Sequence, residues 1–381
     1  MTEVLVVGAG PSGSVAAAVL ARAGVDVLLV DRAEFPRDKL CGDTVNPGAL
    51  ALLRRLDLAR AIDAVGLRID GMRVTGGRGV AIDARYPDGL YGRSLTRRDL
   101  DQALLERAID AGARFEPRVH VKSAIVERGV VSGVVAGEGG ARQLRARVTI
   151  AADGRRSSLA FGLGLARHAE RPRRWAIGAY YEGVGGLSSL GEMHIRPGRY
   201  IGVAPLAGGL ANLCVVVPSG PGDPRLADPA ALVAREIARD RLLGDRFAAA
   251  RAVRAPAVLG PLAVDAAPRA IDGLFVVGDA AGFIDPMTGD GLRFAVRGGE
   301  LAAEAARAAL ERGWNGVHAA LAARRRREFA GKWRFNRLLR ALVASPGAVD
   351  AAAAGARLAP GLVAAIVSTA GDCALARSCC S

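Results

Sequence analysis

The first thirty-one residues alternate between apolar runs and glycine-containing turns. An unbroken, largely β-branched run at Val4–Val7 predicts a buried parallel strand. A glycine-rich turn and an alanine-rich helix follow, and Gly24 ends that helix as a C-terminal cap. A second apolar run, Val27–Val30, predicts another strand that stops at Asp31. Together these segments predict one βαβ unit.

Farther along the chain the pattern predicts a mixture of strands and long helices. An amphipathic helix is predicted from Arg97 to Gly112, with Leu100, Leu104, Ala108 and Ile109 on its buried face. The predicted strands are 119–126 and 130–135, which form a hairpin at Gly129, then 148–152, at least three between Trp175 and Pro218, and 274–277. Long helices are predicted from about Gly291 to Arg312 and from Val317 to about Val343.

This order predicts an α/β fold with a Rossmann-like domain, an inserted antiparallel-sheet (α+β) domain and C-terminal helices. The first domain is assigned to residues 1–70, 95–165 and 265–312, and the inserted domain to residues 71–94 and 166–264. Residues 313–381 form the predicted C-terminal helical region.

Composition narrows the classes of partner and compartment. The net charge of +14 favours anionic partners, but aromatic residues are only 4% and do not alternate with basic ones, so nucleic acid is not expected. Five cysteines and four isolated histidines fit no metal site or disulfide framework. The chain opens directly on a strand and contains no apolar run of about 18 residues, so we expect neither a signal peptide nor a membrane span. We therefore expect a reducing, cytoplasmic setting.

The turn Gly8–Gly13 has the spacing of a dinucleotide-binding motif. Gly8 permits the tight turn, Gly10 permits the backbone to approach a pyrophosphate, and Gly13 permits close packing of helix on strand. The helix N-terminus presents free N–H groups to phosphate. Asp31 stands where an acidic side chain would hold a ribose.

A second motif, Phe275–Gly282, distinguishes FAD from NAD. An FAD molecule is long, so its ribityl chain and ring need contacts from a distant part of the sequence. Asp279 is suited to accept a hydrogen bond from a ribityl hydroxyl. The helix that begins near Gly291, after Pro286 and Gly289, is suited to stabilise negative charge on the ring.

With these motifs, residues 1 to about 310 resemble the flavoprotein superfamily of p-hydroxybenzoate hydroxylase, and within it the geranylgeranyl reductase branch. Arg97 begins a segment similar to the family's R-x-x-L-D helix start, and Asp153-Gly154 matches its DG motif. Pro36–Gly42 matches the reductases' P-x-x-K-x-C-G segment, in which the cysteine faces the flavin. Asp43 stands where that pattern expects another glycine.

The reductases also carry Y-x-W-x-F-P in the substrate sheet. This chain keeps Tyr200 and Pro205 but has Gly202 and Ala204 in place of the two aromatics, which leaves room for a different or bulkier substrate. Gly282 stands where many hydroxylases have histidine. The glycine at this position favours the reductase branch. For the substrate pocket we take Tyr200, Gly202 and Pro205.

The resemblance implies NAD(P)H as the electron donor. The two glycine motifs, with no residue that stands out as a covalent flavin anchor, predict noncovalent FAD, and the isolated histidines predict no metal site. The residues expected to contact FAD are Gly8, Gly10, Pro11, Ser12, Gly13, Asp31, Arg32, Cys41, Gly42, Arg97, Asp153, Gly154, Gly278, Asp279, Pro286, Gly289 and Gly291. Cys41 is the expected catalytic residue, either as a proton donor or as an electrostatic influence on the ring, with a buried core thiol as the alternative.

The expected function is reduction of a hydrophobic, isoprenoid- or polyketide-like substrate. The alternatives are a flavin monooxygenase acting on an aromatic or polyketide ring, a non-redox cyclase, and a flavin-holding protein without catalysis. Segment 324–340 mixes basic and aromatic-apolar residues, which fits either a peripheral contact with anionic membrane or a solvated basic face whose apolar side packs on the protein.

Overall fold

The computed structural model describes residues 1–77, 79–137, 141–170, 173–220, 222–284, 286–345, 355 and 359–380. Its strands are β1 Thr2–Val7, β2 Val27–Val30, β3 Thr44–Val45, β4 Leu67–Ile69, β5 Gly71–Thr75, β6 Ala81–Arg85, β7 Gly92–Ser94, β8 Arg114–Glu116, β9 Val121–Glu127, β10 Val130–Ala136, β11 Arg142–Ala151, β12 Ala166–His168, β13 Arg174–Glu182, β14 Leu190–Arg196, β15 Arg199–Pro205, β16 Leu210–Pro218, β17 Arg251–Ala252, β18 Ala257–Leu259, β19 Val264–Ala266 and β20 Leu274–Val276. Its α-helices are α1 Pro11–Arg22, α2 Pro47–Arg55, α3 Arg60–Val65, α4 Arg97–Asp110, α5 Ser158–Gly162, α6 Pro229–Ala238, α7 Arg241–Phe247, α8 Gly291–Arg312, α9 Val317–Ala344, α10 Pro360–Ala370 and α11 Cys373–Cys380.

The first sheet has seven strands in the order β8-β2-β1-β11-β10-β9, with β20 also paired to β11. The pairings of β1 with β2 and β11, of β2 with β8, and of β11 with β20 are parallel. The predicted βαβ unit is confirmed, and the predicted hairpin is the antiparallel pair β9 and β10. Val4, Leu5 and Ile150 are fully buried, which explains why these strands are continuous apolar runs.

Helices α1, α4 and α8 pack together beside this sheet. Leu100, Leu104 and Ala108 of α4 are buried as predicted, but Ile109 is 45% exposed, so its predicted place on the buried face is wrong. At about 100° of rotation per residue, Ile109 lies far around the helix from Leu104, and only the first three share a face.

The second sheet has eight strands in the order β17-β13-β16-β15-β14-β5-β6, with β18 also paired to β13. Its pairings are antiparallel except that of β14 with β5. Helices α6 and α7 bury Val233 and Leu243 against Ile177 and neighbouring side chains of this sheet. A small third sheet, β3-β7-β4, links residues 92–94 to residues 44–45 and 67–69.

The C-terminal helices join the two halves of the molecule. Helix α9 packs on α8 and contacts β15, α10 packs against β6, and α11 packs on α2. Residues 346–354 and 356–358 of the predicted C-terminal helical region lie outside the described residues. The C-terminal part of α9 and helix α10 therefore cover the space between the two large sheets.

Candidate active site

A cavity of about 300 Å³ lies between the two large sheets. Its walls come from the turn after β1, segment 39–46, strands β5 and β14–β16, the start of α8, and helices α9 and α10. The cavity has a basic end near the glycine turn and an apolar end beneath the C-terminal helices.

The glycine turn leaves open space at the N-terminus of α1. Gly8 has φ of +102°, and a Cβ on Gly13 would lie 1.8 Å from the Gly8 carbonyl oxygen, so both positions require glycine. A Cβ on Gly10 would meet nothing closer than the Arg37 Nη2 atom, at 3.6 Å. No side chain caps α1, and its first turn carries no acidic residue. Gly10, Pro11 and Ser12 line the cavity, so this helix end fits a phosphate.

Asp31 does not line this cavity. Its Oδ2 accepts a hydrogen bond from the Ala9 N–H at 2.8 Å, and its Oδ1 accepts one from the Ala33 N–H at 2.9 Å. The carboxylate thus holds the glycine turn to the end of β2. Arg32, beside it, is exposed and also lies outside the cavity lining.

Three cationic side chains gather at the basic end of the cavity: Lys39, Arg97 and Arg155. Burial lowers the pKa of Lys39, Arg97 lowers it further, and Asp279 and Asp101 only partly offset this. Burial also lowers the pKa of Arg155, and Asp279 again partly offsets it. The cations therefore exceed the carboxylates around them, an imbalance that a bound diphosphate would correct.

Arg97 is held rigidly in this group. Its Nε and Nη2 atoms each donate to a carboxylate oxygen of Asp101 at 2.7 Å, and its side chain is buried. Burial lowers the pKa of Arg97, but Asp101 and Cys41 raise it by more, so the guanidinium stays charged. This bidentate pair fixes the direction of the remaining donors.

Asp153 and Gly154 have different positions. Gly154 lines the cavity with φ of +83°. Asp153 lies outside the lining and accepts a hydrogen bond from the Ser158 N–H at 2.9 Å, and burial raises its pKa. Asp153 thus anchors the start of α5 and orients the adjacent Gly154.

The second glycine motif approaches the first from the opposite side. Gly278 has φ of +61°, and a Cβ there would lie 2.3 Å from the Ser12 Oγ atom. Asp279, Gly289 and Gly291 line the cavity. Pro286, Met287 and Thr288 form one 3-10 turn before α8. The N-terminus of α8 therefore faces the same space as that of α1.

Cys41 and Gly42 line the cavity, and a buried polar cluster holds their loop to the second sheet. The Cys41 carbonyl oxygen accepts a hydrogen bond from Asn212 Nδ2 at 3.0 Å. Asp43 adopts a left-handed conformation with φ of +53°, and its Oδ2 accepts from Tyr180 Oη at 2.6 Å and from Asn212 Nδ2 at 2.7 Å. Burial raises the pKa of Asp43 to about 6, although both hydrogen bonds act in the opposite direction.

This Asp43 cluster was not predicted from the sequence. The available signal was an acidic residue where the resemblance expects glycine. Its partners, Tyr180 and Asn212, are 137 and 169 residues away, and only the fold brings them together.

Of the three residues predicted for the substrate pocket, only Gly202 lines this cavity. A Cβ on Gly202 would have no neighbour closer than 3.9 Å, so the space of a side chain is open there. Tyr200 packs instead in a buried cluster with Met287 and Val343. Pro205 is buried at the end of β15, on the opposite face from Gly202 by strand alternation.

The apolar end of the cavity was also not predicted in detail. Helices α9 and α10 contribute Leu339, Leu342, Val343, Ile366 and Val367, and the second sheet contributes Met72, Val74, Met193 and Ile195. Glu192 also lines the cavity. Burial raises the pKa of Glu192, but hydrogen bonds from His194 and Arg246 lower it by more. The carboxylate therefore stays ionised, and its charge is balanced by these two neighbours.

Comparisons with known proteins agree with these motifs. A family model described as FAD binding domain matches residues 1–328. Digeranylgeranylglycerophospholipid reductase 1 of Methanopyrus kandleri is 34% identical over 322 residues, which are 81% of each chain. Menaquinone reductase of Mycobacterium tuberculosis is 36% identical over 325 residues, 79% of this chain and 76% of the relative. The solved structure of flavin-dependent brominase Bmp2 superposes with a TM-score of 0.84 at 22% identity, over 98% of this chain and 94% of the brominase.

In the described parts of the chain, no helix is by itself both long and apolar enough to cross a membrane, although the bent pair Gly361–Ala370 and Cys373–Cys379, at 57°, meets that criterion together.

Proposed function

This chain belongs to the FAD-binding domain family, on its geranylgeranyl reductase branch, and from that premise we propose that it reduces a hydrophobic substrate with electrons from NAD(P)H. The observation that carries the proposal is a single cavity with two unlike ends. One end has free helix N–H groups and three cations, and the other is lined by aliphatic side chains.

The basic end fits the noncovalent binding of FAD. Arg97, Lys39 and Arg155 would neutralise the diphosphate together with the N–H groups at the start of α1. Asp279 would accept a hydrogen bond from the ribityl chain. The bound cofactor would supply two-electron chemistry, accepting electrons from NAD(P)H and passing a hydride to an activated double bond.

The protein's part in that chemistry is to position the substrate and to supply a proton. Reduction of a carbon–carbon double bond adds a hydride to one carbon and a proton to the other. Cys41 would hold this proton at its Sγ atom. The hydrogen bond from Asn212 to the Cys41 carbonyl oxygen would keep the loop in place.

The apolar end fits a long, flexible hydrocarbon substrate. The relatives named above are reductases of a prenylated phospholipid and of menaquinone. We propose that this chain likewise takes a lipid-like substrate, either an isoprenoid or a polyketide-type chain. The open space at Gly202 would admit a group bulkier than a linear chain near the sheet.

We also propose that the outer face of α9 touches an anionic membrane surface. Leu338 is 68% exposed and Leu362 of α10 is 59% exposed, and Arg334 and Arg337 are exposed beside Leu338 on α9. Leu339 and Ile366 of the same helices line the apolar end of the cavity. Substrate would then pass directly from the membrane into the site.

Cosedimentation with vesicles tests this membrane contact. The protein should pellet with vesicles containing anionic lipid and much less with neutral vesicles, and Leu338→Glu should abolish pelleting. Arg114→Gln serves as the matched control, because Arg114 is an exposed arginine that lies outside α9 and α10. Equal pelleting of the Leu338→Glu and unchanged proteins would contradict the proposal.

The proposed function itself is tested by anaerobic turnover. Purified protein should carry FAD, and NAD(P)H should bleach the visible absorbance of the flavin without oxygen. A lipid-like substrate with an activated double bond should then restore the absorbance. A protein that turns over only with oxygen would instead be a monooxygenase, and one that forms product without consuming NAD(P)H would be a cyclase.

A further inference from the structure

A second cleft, of about 680 Å³, lies beside the segment that carries the second glycine motif. It is bounded by residues 266–271, the turn 278–282, and helices α8 and α9. Asp279 faces the first cavity, whereas Gly278 and Ala280 line this cleft, and the two spaces share no lining residue among those described.

The guanidinium of Arg325 lies at this cleft without a carboxylate partner. Its Nη2 donates to the Val276 carbonyl oxygen at 2.6 Å, and it forms no ion pair with any described residue. Burial alone lowers its pKa to about 10. Two nearby arginines differ in this respect, since Arg324 pairs with Glu304 and Arg293 pairs with Glu328.

The other basic residues that line the cleft are two arginines and one histidine. Arg269 and Arg326 line the cleft and are exposed. His318 lines the cleft, and its Nε2 atom lies 3.3 Å from the Oδ1 atom of Asp272, a residue that does not line the cleft. None of the described residues that line the cleft is an aspartate or a glutamate. The surroundings of Arg325 therefore favour an anion.

The walls of the cleft are aromatic. Phe275, Phe294, Phe329 and Trp333 line it, four of the seventeen phenylalanine, tyrosine and tryptophan residues in the chain. The larger set of lining residues around the first cavity contains only Tyr86 and Phe283 of these types among the described residues. Phe294 packs against Phe329 and Trp333, with ring centroids 5.1 Å and 6.4 Å apart.

We propose that this cleft is a second binding site, for a small amphiphile with an anionic oxygen headgroup, such as an alkyl phosphate or a fatty carboxylate. The headgroup accepts hydrogen bonds from the Arg325 guanidinium, and the hydrocarbon lies on Phe294, Phe329 and Trp333. The site is independent of the proposed reaction, because the first cavity contributes none of its lining residues.

Titration of the FAD-loaded protein with octyl phosphate tests the site. Binding is followed by calorimetry and by tryptophan fluorescence, because Trp333 lines the cleft whereas Trp175 and Trp314 do not. Octanol and inorganic phosphate are titrated in parallel, because one lacks the headgroup and the other lacks the hydrocarbon. We expect octyl phosphate to bind at least about tenfold more tightly than either, since charge-assisted hydrogen bonds and apolar burial add.

Arg325→Gln should weaken the binding of octyl phosphate by about tenfold or more, whereas Arg327→Gln, an exposed residue of the same helix outside the cleft, should leave it unchanged. If Arg325→Gln fails to fold, Ala322→Trp is used instead, since Ala322 lines the cleft and is exposed, and the larger side chain should block binding.

Gly202→Phe distinguishes this cleft from the first cavity, since Gly202 lines only the latter. Octyl phosphate affinity should survive this change. Loss of binding in Gly202→Phe with retention in Arg325→Gln would assign the ligand to the first cavity and overturn the proposal. Equal affinities for inorganic and octyl phosphate would also overturn it, because the aromatic wall would then contribute nothing.

Discussion

Replacing Asp43 by Asn should change how the stability of this protein depends on pH. Asp43 is 1% exposed, and its Oδ1 atom has no hydrogen-bond partner among the described residues. Burial raises its pKa from 3.8 to about 6. Asn has a similar shape, and its amide oxygen still accepts hydrogen bonds from Tyr180 and Asn212, but it cannot ionise.

Proton linkage gives the direction in which the contribution of Asp43 to stability changes with pH. Between about pH 4 and about pH 6 the folded protein binds more protons at Asp43 than the unfolded chain does, so this contribution to the free energy of unfolding falls as the pH rises. It is fully present below the unfolded pKa of 3.8 and is lost as the pH rises through about 6. The difference between 3.8 and about 6 corresponds to about 3 kcal/mol.

Urea unfolding of both proteins in the same cofactor state, followed by circular dichroism from about pH 4 to about pH 7, measures this effect. The stability of Asp43→Asn relative to the unchanged protein should rise across that range by about 3 kcal/mol. Asp83→Asn is the matched control. A hydrogen bond from Arg73 lowers the pKa of Asp83, so the contribution of Asp83 to stability is present above the unfolded pKa of 3.8 and is lost only at lower pH; the relative stability of this variant should therefore stay nearly constant from about pH 4 to about pH 7. A relative stability of Asp43→Asn that stays flat would refute the reasoning about burial.

Three further predictions concern the cofactor and the thiol. Gly10→Val should lower FAD occupancy in the purified protein, because the side chain would fill the space beside the start of α1; full occupancy after dialysis would contradict this. Asp279→Ala should speed the loss of FAD on dialysis but lower the melting temperature only slightly, and a large fall in the melting temperature would indicate a folding role. Cys41→Ala should slow substrate-dependent flavin reoxidation without oxygen by about 10²–10⁴-fold while reduction by NAD(P)H stays within a few-fold, with Cys41→Ser intermediate; an unchanged anaerobic rate in stopped flow would make Cys41 a core residue.

The sequence predicted those parts of the molecule that depend on local pattern. The turn Gly8–Gly13, the strand before it and the bounds of α8 follow from glycine positions and apolar periodicity within short windows. Ile109 shows the limit of even this reasoning, because a single step around a helix moves a side chain from the core to solvent.

The contacts that complete the cavity lie far apart in the chain and leave little local pattern. Leu339 and Ile366 reach the site from α9 and α10, whose position depends on packing against α8 and β6. The resemblance predicts Tyr200 in the pocket, but in the fold Tyr200 packs in a buried cluster with Met287 and Val343 and does not line the cavity. Tyr180 and Asn212 meet Asp43 only because β13 and β16 pair side by side.

The most direct test of the central claim is a single turnover without oxygen. Protein loaded with FAD is reduced with one equivalent of NADPH or NADH and mixed with a prenylated quinol, whose ring cannot accept further electrons, and the flavin absorbance and the product are both followed. We expect the flavin to reoxidise and one double bond of the substrate to be reduced per flavin. Reduced flavin that persists with the substrate and reoxidises only when oxygen is admitted would contradict it.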